Sequence, residues 1–307
     1  MRNYLSDHLQ NYYLPESEFS PGFRIYNNRY GWKDYYLGQY LIYSHRTTTY
    51  DMSFFPEKIH THSFFEMDIF CGGHISYIVS DHEVFPQRGD ILLVPPGVLH
   101  TARQMERSEY DRFVFYFDSR AFEILSANCL PIVLKKSEPK CLAIENAQRS
   151  QFHYLTEQLD YVVSQRDSDT ALLALSYIIQ LFHLIGYASH AVNDRFSKLP
   201  PNILQIKTYI DQNFQNITTM TEIADTFFYS REYVSRMFKQ YFNTNISEYM
   251  TAKKLEAAKQ HLEAGESVTQ AFLASGYRSM SAFVNAFRAN TSQQPSAYRK
   301  SHFTQNE

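Results

Sequence analysis

The chain has 307 residues, with 29 Lys and Arg against 32 Asp and Glu; 44% of residues are apolar and 20% charged. That length fits about two domains, and this balance excludes a disordered or collagen-like chain. The three cysteines, Cys71, Cys129 and Cys141, form no CxxC pair, which fits a reducing compartment better than a disulfide framework.

Residues 1–35 are Tyr-rich with little periodicity and read as an arm with short strands. The opening MRNYLSDHLQNYYLP holds no apolar run of the kind a secretory signal needs. From about 36 to 118, runs such as YYLGQYLIYS, HISYIV, ILLV and RFVFYF alternate with turn signals such as CGG and PPG, the spacing of a sandwich or barrel. Within this stretch stand His60-x-His62-x3-Glu66, then Gly72 and Gly73, then Gly89-x5-Pro95-x-Gly97-x2-His100. Residues two apart on a strand share a face, so His60 and His62 are expected to look into one interior, joined by His100 after the Pro-Pro-Gly turn.

From about 146 the period turns helical: Leu155, Leu159, Val162 and Val163 share a face, and Leu172 to Ile185 continue the pattern. Thr170 to Val192 contain no Asp, Glu, Lys or Arg and are long enough to cross a bilayer. Ser176, Gln180, His183, Tyr187 and His190 recur at steps of three and four, however, so an amphipathic helix is expected and no membrane partner. DRFSKLPPN, 194–202, is the boundary, with Pro-Pro breaking one helix and starting the next. Beyond Pro200 the chain carries 11 basic and 9 acidic residues, against 18 and 23 before it, so the halves suit different partners.

The back half repeats at an offset of 49. Ser230 maps to Ser279, Val234 to Phe283, Phe238 to Phe287, Lys239 to Arg288 and Tyr249 to Tyr298. Each copy reads as two short helices about a tight turn, with Ser230 and Ser279 as N-caps and Gly276 in the second turn. Ser247 to Ala264 reads as the connecting helix, ~27 Å long at ~1.5 Å per residue, close to the ~34 Å between successive major grooves on one face of DNA. Arg236, Lys239, Arg278 and Arg288 stay outside the buried stripe.

The last ~100 residues resemble the DNA-binding domain of AraC/XylS-type transcription regulators. The matching residues are Ile223-Ala224, S-x-x-Y-V-S-R-x-F-K from Ser230, K-L-x-x-A from Lys254, G-Y-x-S-x-S-x-F-x-x-x-F-R from Gly276 and P-S-A-Y-R from Pro295. The resemblance implies recognition helices at about 231–241 and 280–290. Glu232, Ser235 and Arg236 would face bases from the first, and Met280, Ser281, Val284 and Asn285 from the second. The chain departs from the family at Asn243 and Ser292, where Gly is usual, and at Ala271-Phe272, where Ile-Ala is usual.

The His60, His62, Glu66 and His100 spacing resembles the two cupin motifs, with Gln104 at the closing Asn position. In cupin enzymes such a set holds a transition metal; in cupins fused to AraC-type domains the resemblance implies a metal-free sensor, commonly for sugars. Arg24, Trp32, Tyr35, Tyr36, Tyr40 and Tyr43 are candidate contacts for a sugar ring beside the four motif residues. Related regulators pair through the helices after the cupin, which implies a homodimer here.

The expected fold is therefore α+β and multidomain. Residues 1–145 form a β-barrel of cupin or jelly-roll type, 146–193 are dimerisation helices, 194–201 a linker, and 202–307 an all-α double helix-turn-helix. The expected function is a cytoplasmic regulator of double-stranded DNA controlled by a small-molecule effector, by resemblance a sugar, without catalytic residues, metal or cofactor. The alternative is a metal-dependent cupin enzyme fused to a DNA-binding domain.

Overall fold

Strand alternation decides what the front half buries. A computed structural model describes residues 18–20, 23–27, 33–37, 41–49, 59–62, 64–117, 138–165 and 170–303. The strands are β1 (Glu18–Ser20), β2 (Phe23–Asn27), β3 (Lys33–Leu37), β4 (Leu41–Thr49), β5 (Phe65–Gly72), β6 (Ile75–Val79) and β7 (His82–Val84). Then come β8 (Asp90–Val94), β9 (His100–Gln104), β10 (Glu109–Phe117), β11 (Lys140–Ile144), β12 (Ser189–Ala191) and β13 (Phe196–Lys198). They form a nine-stranded sheet, β1-β2-β3-β4-β10-β5-β8-β11-β12, and a four-stranded sheet, β13-β7-β6-β9. The strand-rich domain is as expected, while no pairing among the described residues closes it into a barrel.

Each face of the large sheet has its own cover. Leu41, Tyr43, Met67, Ile69, Ile91, Leu93, Phe115 and Phe117 lie in one cluster with the helices α1 (Arg149–Ser164) and α2 (Thr170–Ala188). Leu159, Ile178, Leu181 and Ile185 are fully buried there, each contributing ~1.5–3 kcal/mol. The residues between them turn to the other face, where Phe70, Leu92, Val94 and Tyr110 meet Ile75, Tyr77, Val79 and Ala102 of the small sheet. α2 is long and apolar enough to cross a membrane, but its inward residues belong to this core. His190, expected on the same helical stripe, lies instead in β12 against Ala143.

The segment expected as a linker is built into the sheets. Phe196, Ser197 and Lys198 pair with Val84, Glu83 and His82, and Arg195 Nε donates to Asp90 Oδ2 at 2.7 Å. The helical half follows with α3 (Pro201–Asn213), α4 (Met220–Thr226), α5 (Arg231–Phe242), α6 (Ile246–Glu263), α7 (Val268–Ser275), α8 (Met280–Thr291) and α9 (Pro295–Phe303). Side-chain caps start the helices: Thr219, Ser230, Asn245, Ser267 and Ser279 each accept from the backbone N–H three residues on. Asn243 and Ser292 close α5 and α8 in the left-handed conformation, at φ 50° and 57°. Unit one packs around Val234, Phe238 and Tyr249, unit two around Ala258, Phe283 and Phe287.

Candidate functional site

Parity on neighbouring strands gathers polar side chains on the face away from the helices. His62 Nε2 and His100 Nε2 both meet Glu66 Oε2, at 2.9 and 3.0 Å. Their other ring nitrogens sit against backbone carbonyls, His62 Nδ1 on Phe64 at 2.8 Å and His100 Nδ1 on Val98 at 2.9 Å. Both rings thus turn Nε2 inward toward one point; a neutral imidazole has one N–H and serves either its carbonyl or the Glu66 carboxylate, whereas a protonated one serves both. His60 stacks at 4.3 Å from the His100 ring. One ligand atom from each of His60, His62, Glu66 and His100 lies within 4.8 Å of the others, and three imidazoles with a carboxylate suit a divalent transition metal.

The electrostatics favour an ion pair with a neutral neighbour. Burial works against charge on Glu66, yet the His100 charge and the two imidazole hydrogen bonds hold its carboxyl well below the usual range. Burial also opposes charge on His100, but Glu66 outweighs it and raises the imidazole, whereas burial lowers His62.

The same face carries charged residues that the motif spacing does not reveal. Arg46 donates from Nη2 to Asp34 at 3.1 Å, from Nη1 to Tyr116 at 3.0 Å and from Nε to Ser44 at 3.2 Å. Tyr116 lies edge-on to His62 at 6.2 Å, linking this group to the histidines. Arg112 sits 4.1 Å above the Tyr110 ring and 3.4 Å from Asp68, and Tyr110 hydrogen-bonds Tyr77. Asp34, Arg46, Glu66, Asp68, His100 and Arg112 are all at most 5% exposed. Charged residues inside strands as apolar as RFVFYF, and Asp68 two residues after Glu66, are the signals that point to them.

Tyr43 requires a correction. It shares parity with Leu41 and His45, so it faces α1, where its hydroxyl donates to Asp160 at 3.0 Å; it is not part of the polar cluster on the opposite face, called the chamber below. Tyr35 packs beside it. Gln104 donates to the Ser108 carbonyl at 3.4 Å and stands apart from the histidines. Trp32 and Tyr40 fall outside the described residues, and of Arg24 and Tyr36 only the backbone is described, paired with each other between β2 and β3.

In the helical half, Glu232, Ser235, Arg236 and Lys239 are exposed on α5, and Met280, Ser281, Asn285 and Arg288 on α8. Arg278 is exposed ahead of α8, while Val284 is half-buried. Gly276 turns at φ 68°, and a Cβ there would sit 2.5 Å from the Gln215 backbone, so only glycine fits. Lys254 closes this turn by donating to the Gly276 carbonyl at 3.1 Å. Phe272 occupies the place of the smaller residue against Phe283, with ring centres 5.9 Å apart.

Residues 43–181 match the family model of an AraC-like ligand binding domain, and residues 223–301 that of a helix-turn-helix domain. An uncharacterized HTH-type transcriptional regulator, YijO of Escherichia coli (strain K12), is 31% identical over 33% of this chain and 36% of its own length. The raffinose operon transcriptional regulatory protein RafR of Pediococcus pentosaceus is 30% identical over 41% of this chain and 46% of its own. The chain thus spans less than half the length of these curated relatives. Among solved structures, ToxT from Vibrio cholerae is 12% identical over 85% of this chain and 98% of that one, with a TM-score of 0.35.

Proposed function

The chain belongs to the AraC-type regulators, an AraC-like ligand binding domain ahead of a helix-turn-helix domain, and on that premise we propose that it is a cytoplasmic, sequence-specific transcription regulator answering a neutral carbohydrate. The observation that carries the effector class is the charge balance of the chamber. Arg46, Arg112 and a His100 imidazole whose charged form Glu66 favours stand against Asp34, Glu66 and Asp68. A ligand rich in hydroxyls and without net charge exchanges hydrogen bonds with such a set, whereas a charged one leaves a buried charge unmatched. His60, His62, Glu66 and His100 keep their effector-binding role, joined by Arg46, Asp68, Arg112 and Tyr116. The likeness to a regulator named for a raffinose operon supports a sugar.

Thermal shift of the full chain against neutral mono- and oligosaccharides tests this reading. A true effector at ~100 Kd adds ~2.7 kcal/mol. If no sugar shifts the transition while the chain still binds its upstream DNA, the carbohydrate assignment is wrong.

A second reading follows from the convergence of the four ligand atoms within 4.8 Å. It makes the front domain a metal-dependent cupin enzyme, with His60, His62, Glu66 and His100 as ligands. Stoichiometric transition metal in the purified protein would favour it over a metal-free sensor.

DNA reading is assigned to Glu232, Ser235, Arg236 and Lys239 in unit one. In unit two it is assigned to Arg278, Met280, Ser281, Val284, Asn285 and Arg288. Homodimerisation is assigned to the 146–193 helices, where Leu172 is 77% exposed and Tyr154, Tyr161, Leu173, Ile179 and Tyr187 are exposed as well. The full chain should sediment as a dimer at micromolar concentration and Leu172→Glu should shift it to monomer; a full chain that sediments as a monomer, or a dimer unaffected by Leu172→Glu, would refute this assignment.

A further inference from the structure

One place where the histidine cluster approaches the helical half is a pair of backbone-bonded residues. His60 and His100 exchange both N–H···O bonds, each at 3.0 Å, so they stand opposite one another with their rings on the chamber side. The residues just before them, Ile59 and Leu99, therefore point away from the chamber. They are 7% and 8% exposed, buried in one cluster with Leu199, Ile203, Ile206 and Ile210 and with Met237 and Phe238 of α5.

The turn leading into Leu99 reaches the other helix-turn-helix unit. Gly97 N–H donates to the His62 carbonyl at 2.8 Å, which ties the turn to a third chamber residue. On its outer side, Pro96 and Gly97 line a cleft of about 180 Å³ with Glu256, Lys259, Gln260 and Glu263 of α6 and Tyr298 of α9. Tyr298 is a buried member of the unit-two core. The six residues 95–100 thus reach the histidines at His100 and the core of unit one at Leu99, and face α6 and Tyr298 across the cleft at Pro96 and Gly97. Two polar contacts brace the unit-one side: Lys207 Nζ donates to Asp81 at 2.5 Å, and Arg103 lies 4.9 Å over the Tyr241 ring.

We propose that the 95–100 segment is the transmission element of the protein, through which a ligand in the chamber sets the angle between the two helix-turn-helix units. The contacts leave the exposed faces of α5 and α8 uncovered, so control acts on their relative orientation and not by masking them. Two units joined by one helix engage adjacent grooves only when their spacing and angle match the duplex. A segment packed on one unit and facing the other across a cleft is placed to adjust that angle. Because core packing is bistable and not smoothly deformable, a small shift at His100 repositions Leu99 and Gly97 together. The inference rests on the chamber being the effector site.

Hydrogen–deuterium exchange on the full chain, without DNA or sugar, tests the relay separately from that assignment. Glu66→Gln perturbs the chamber at the acceptor shared by His62 and His100. The expected result is an exchange-rate change of at least threefold at amides in 95–100 and in both 201–213 and 253–263. Adding Leu99→Ala should at least halve the response at 201–213 and leave that at 253–263, because it removes the segment's own contact with unit one while Ile59 and Ile78 keep the shared cluster in place. Should Leu99→Ala not fold, Leu99→Val trims the same contact of the segment, with the same direction of change and a smaller amplitude at 201–213. A response confined to the strands, or one at 201–213 that the Leu99 variants leave unchanged, overturns the proposal. A chain that binds no sugar would still show the relay, so the two failures are distinguishable.

Discussion

His45 on β4 and Asp160 on α1 are joined by a 3.0 Å hydrogen bond, and the opposite nitrogen of the same ring meets Asp111 on β10 at 2.9 Å. One imidazole thus fastens the first core helix to two neighbouring strands. Burial alone would lower its pKa, but hydrogen bonds and charge from the two carboxylates raise it to about 9. A group whose folded pKa is raised stabilises the fold fully below its unfolded value, about 6.5, and loses that contribution as pH rises through about 9. With the side chain 31% exposed, solvent screening reduces the effect to about 1 kcal/mol. Urea unfolding should therefore show stability falling between pH 6.5 and 9, and His45→Gln should flatten that slope, leaving the part that the raised His100 contributes. An unchanged slope in the variant would show that His45 does not report this pH range.

Opposite faces of one sheet separate two residues that spacing alone groups together. Tyr43→Phe should lose one hydrogen bond to Asp160 and about 0.5–1.5 kcal/mol of stability, leaving effector affinity untouched. Glu66→Gln and His62→Ala should abolish the effector response while DNA binding survives. Reporter induction together with operator binding checks both halves. A weakened response in Tyr43→Phe would place that ring back in the chamber.

What could be read from the sequence followed periodicity and spacing. The two helix-turn-helix units, their serine caps and the convergence of His60, His62, Glu66 and His100 rest on local patterns, and all were legible. The parity of β4 was not, because LIYSHR places Tyr43 and His45 on one face and Ser44 and Arg46 on the other without an apolar alternation to mark which faces inward. Arg46 and Arg112 were hidden for a similar reason: a buried guanidinium is identified by partners far away in the chain, Asp34 and Tyr116 for one and Asp68 for the other. Helical periodicity likewise ran on into His190, although the chain turns at Ser189 to pair with β11. Phe196–Lys198 looked like linker because a strand of three residues carries no alternation signal.

The close of α8 carries a residue poorly suited to its backbone. Ser292 takes φ 57°, a left-handed conformation that costs an L-residue ~1–2 kcal/mol and glycine far less. Ser292→Gly should raise the stability of the helical half by about 1 kcal/mol, offset in part by the greater freedom of glycine in the unfolded chain. Asn243, at φ 50°, tolerates this conformation better than serine, so Asn243→Gly should gain less. Thermal unfolding of the two variants checks the order; an equal or larger gain at Asn243 would contradict it.

The two reading units should contribute unequally to specificity. Arg236 is exposed on α5 and presents a guanidinium able to contact guanine in bidentate fashion, worth ~1–3 kcal/mol of discrimination. Its counterpart at the repeat offset is Asn285, exposed on α8; it can pair with adenine but brings no charge. Val284 beside it is half-buried and offers only an apolar contact to a thymine methyl. Phe272 fills the place of a smaller residue behind α8 and packs on Phe283, which changes the support of that helix. Arg278 and Arg288 are both exposed around α8, and contacts from them to phosphates position the protein without specifying sequence. Unit one should therefore set most of the sequence preference, and unit two should add affinity that falls with salt. Arg236→Ala should relax the preference for operator over random DNA by roughly 5- to 150-fold, the equivalent of ~1–3 kcal/mol. Asn285→Ala should change that ratio far less, while Arg288→Ala should weaken both DNAs alike and flatten the salt dependence. Titration of operator and random duplexes at two salt concentrations checks all three variants. Equal relaxation by Asn285→Ala and Arg236→Ala would show that both helices read bases to the same degree.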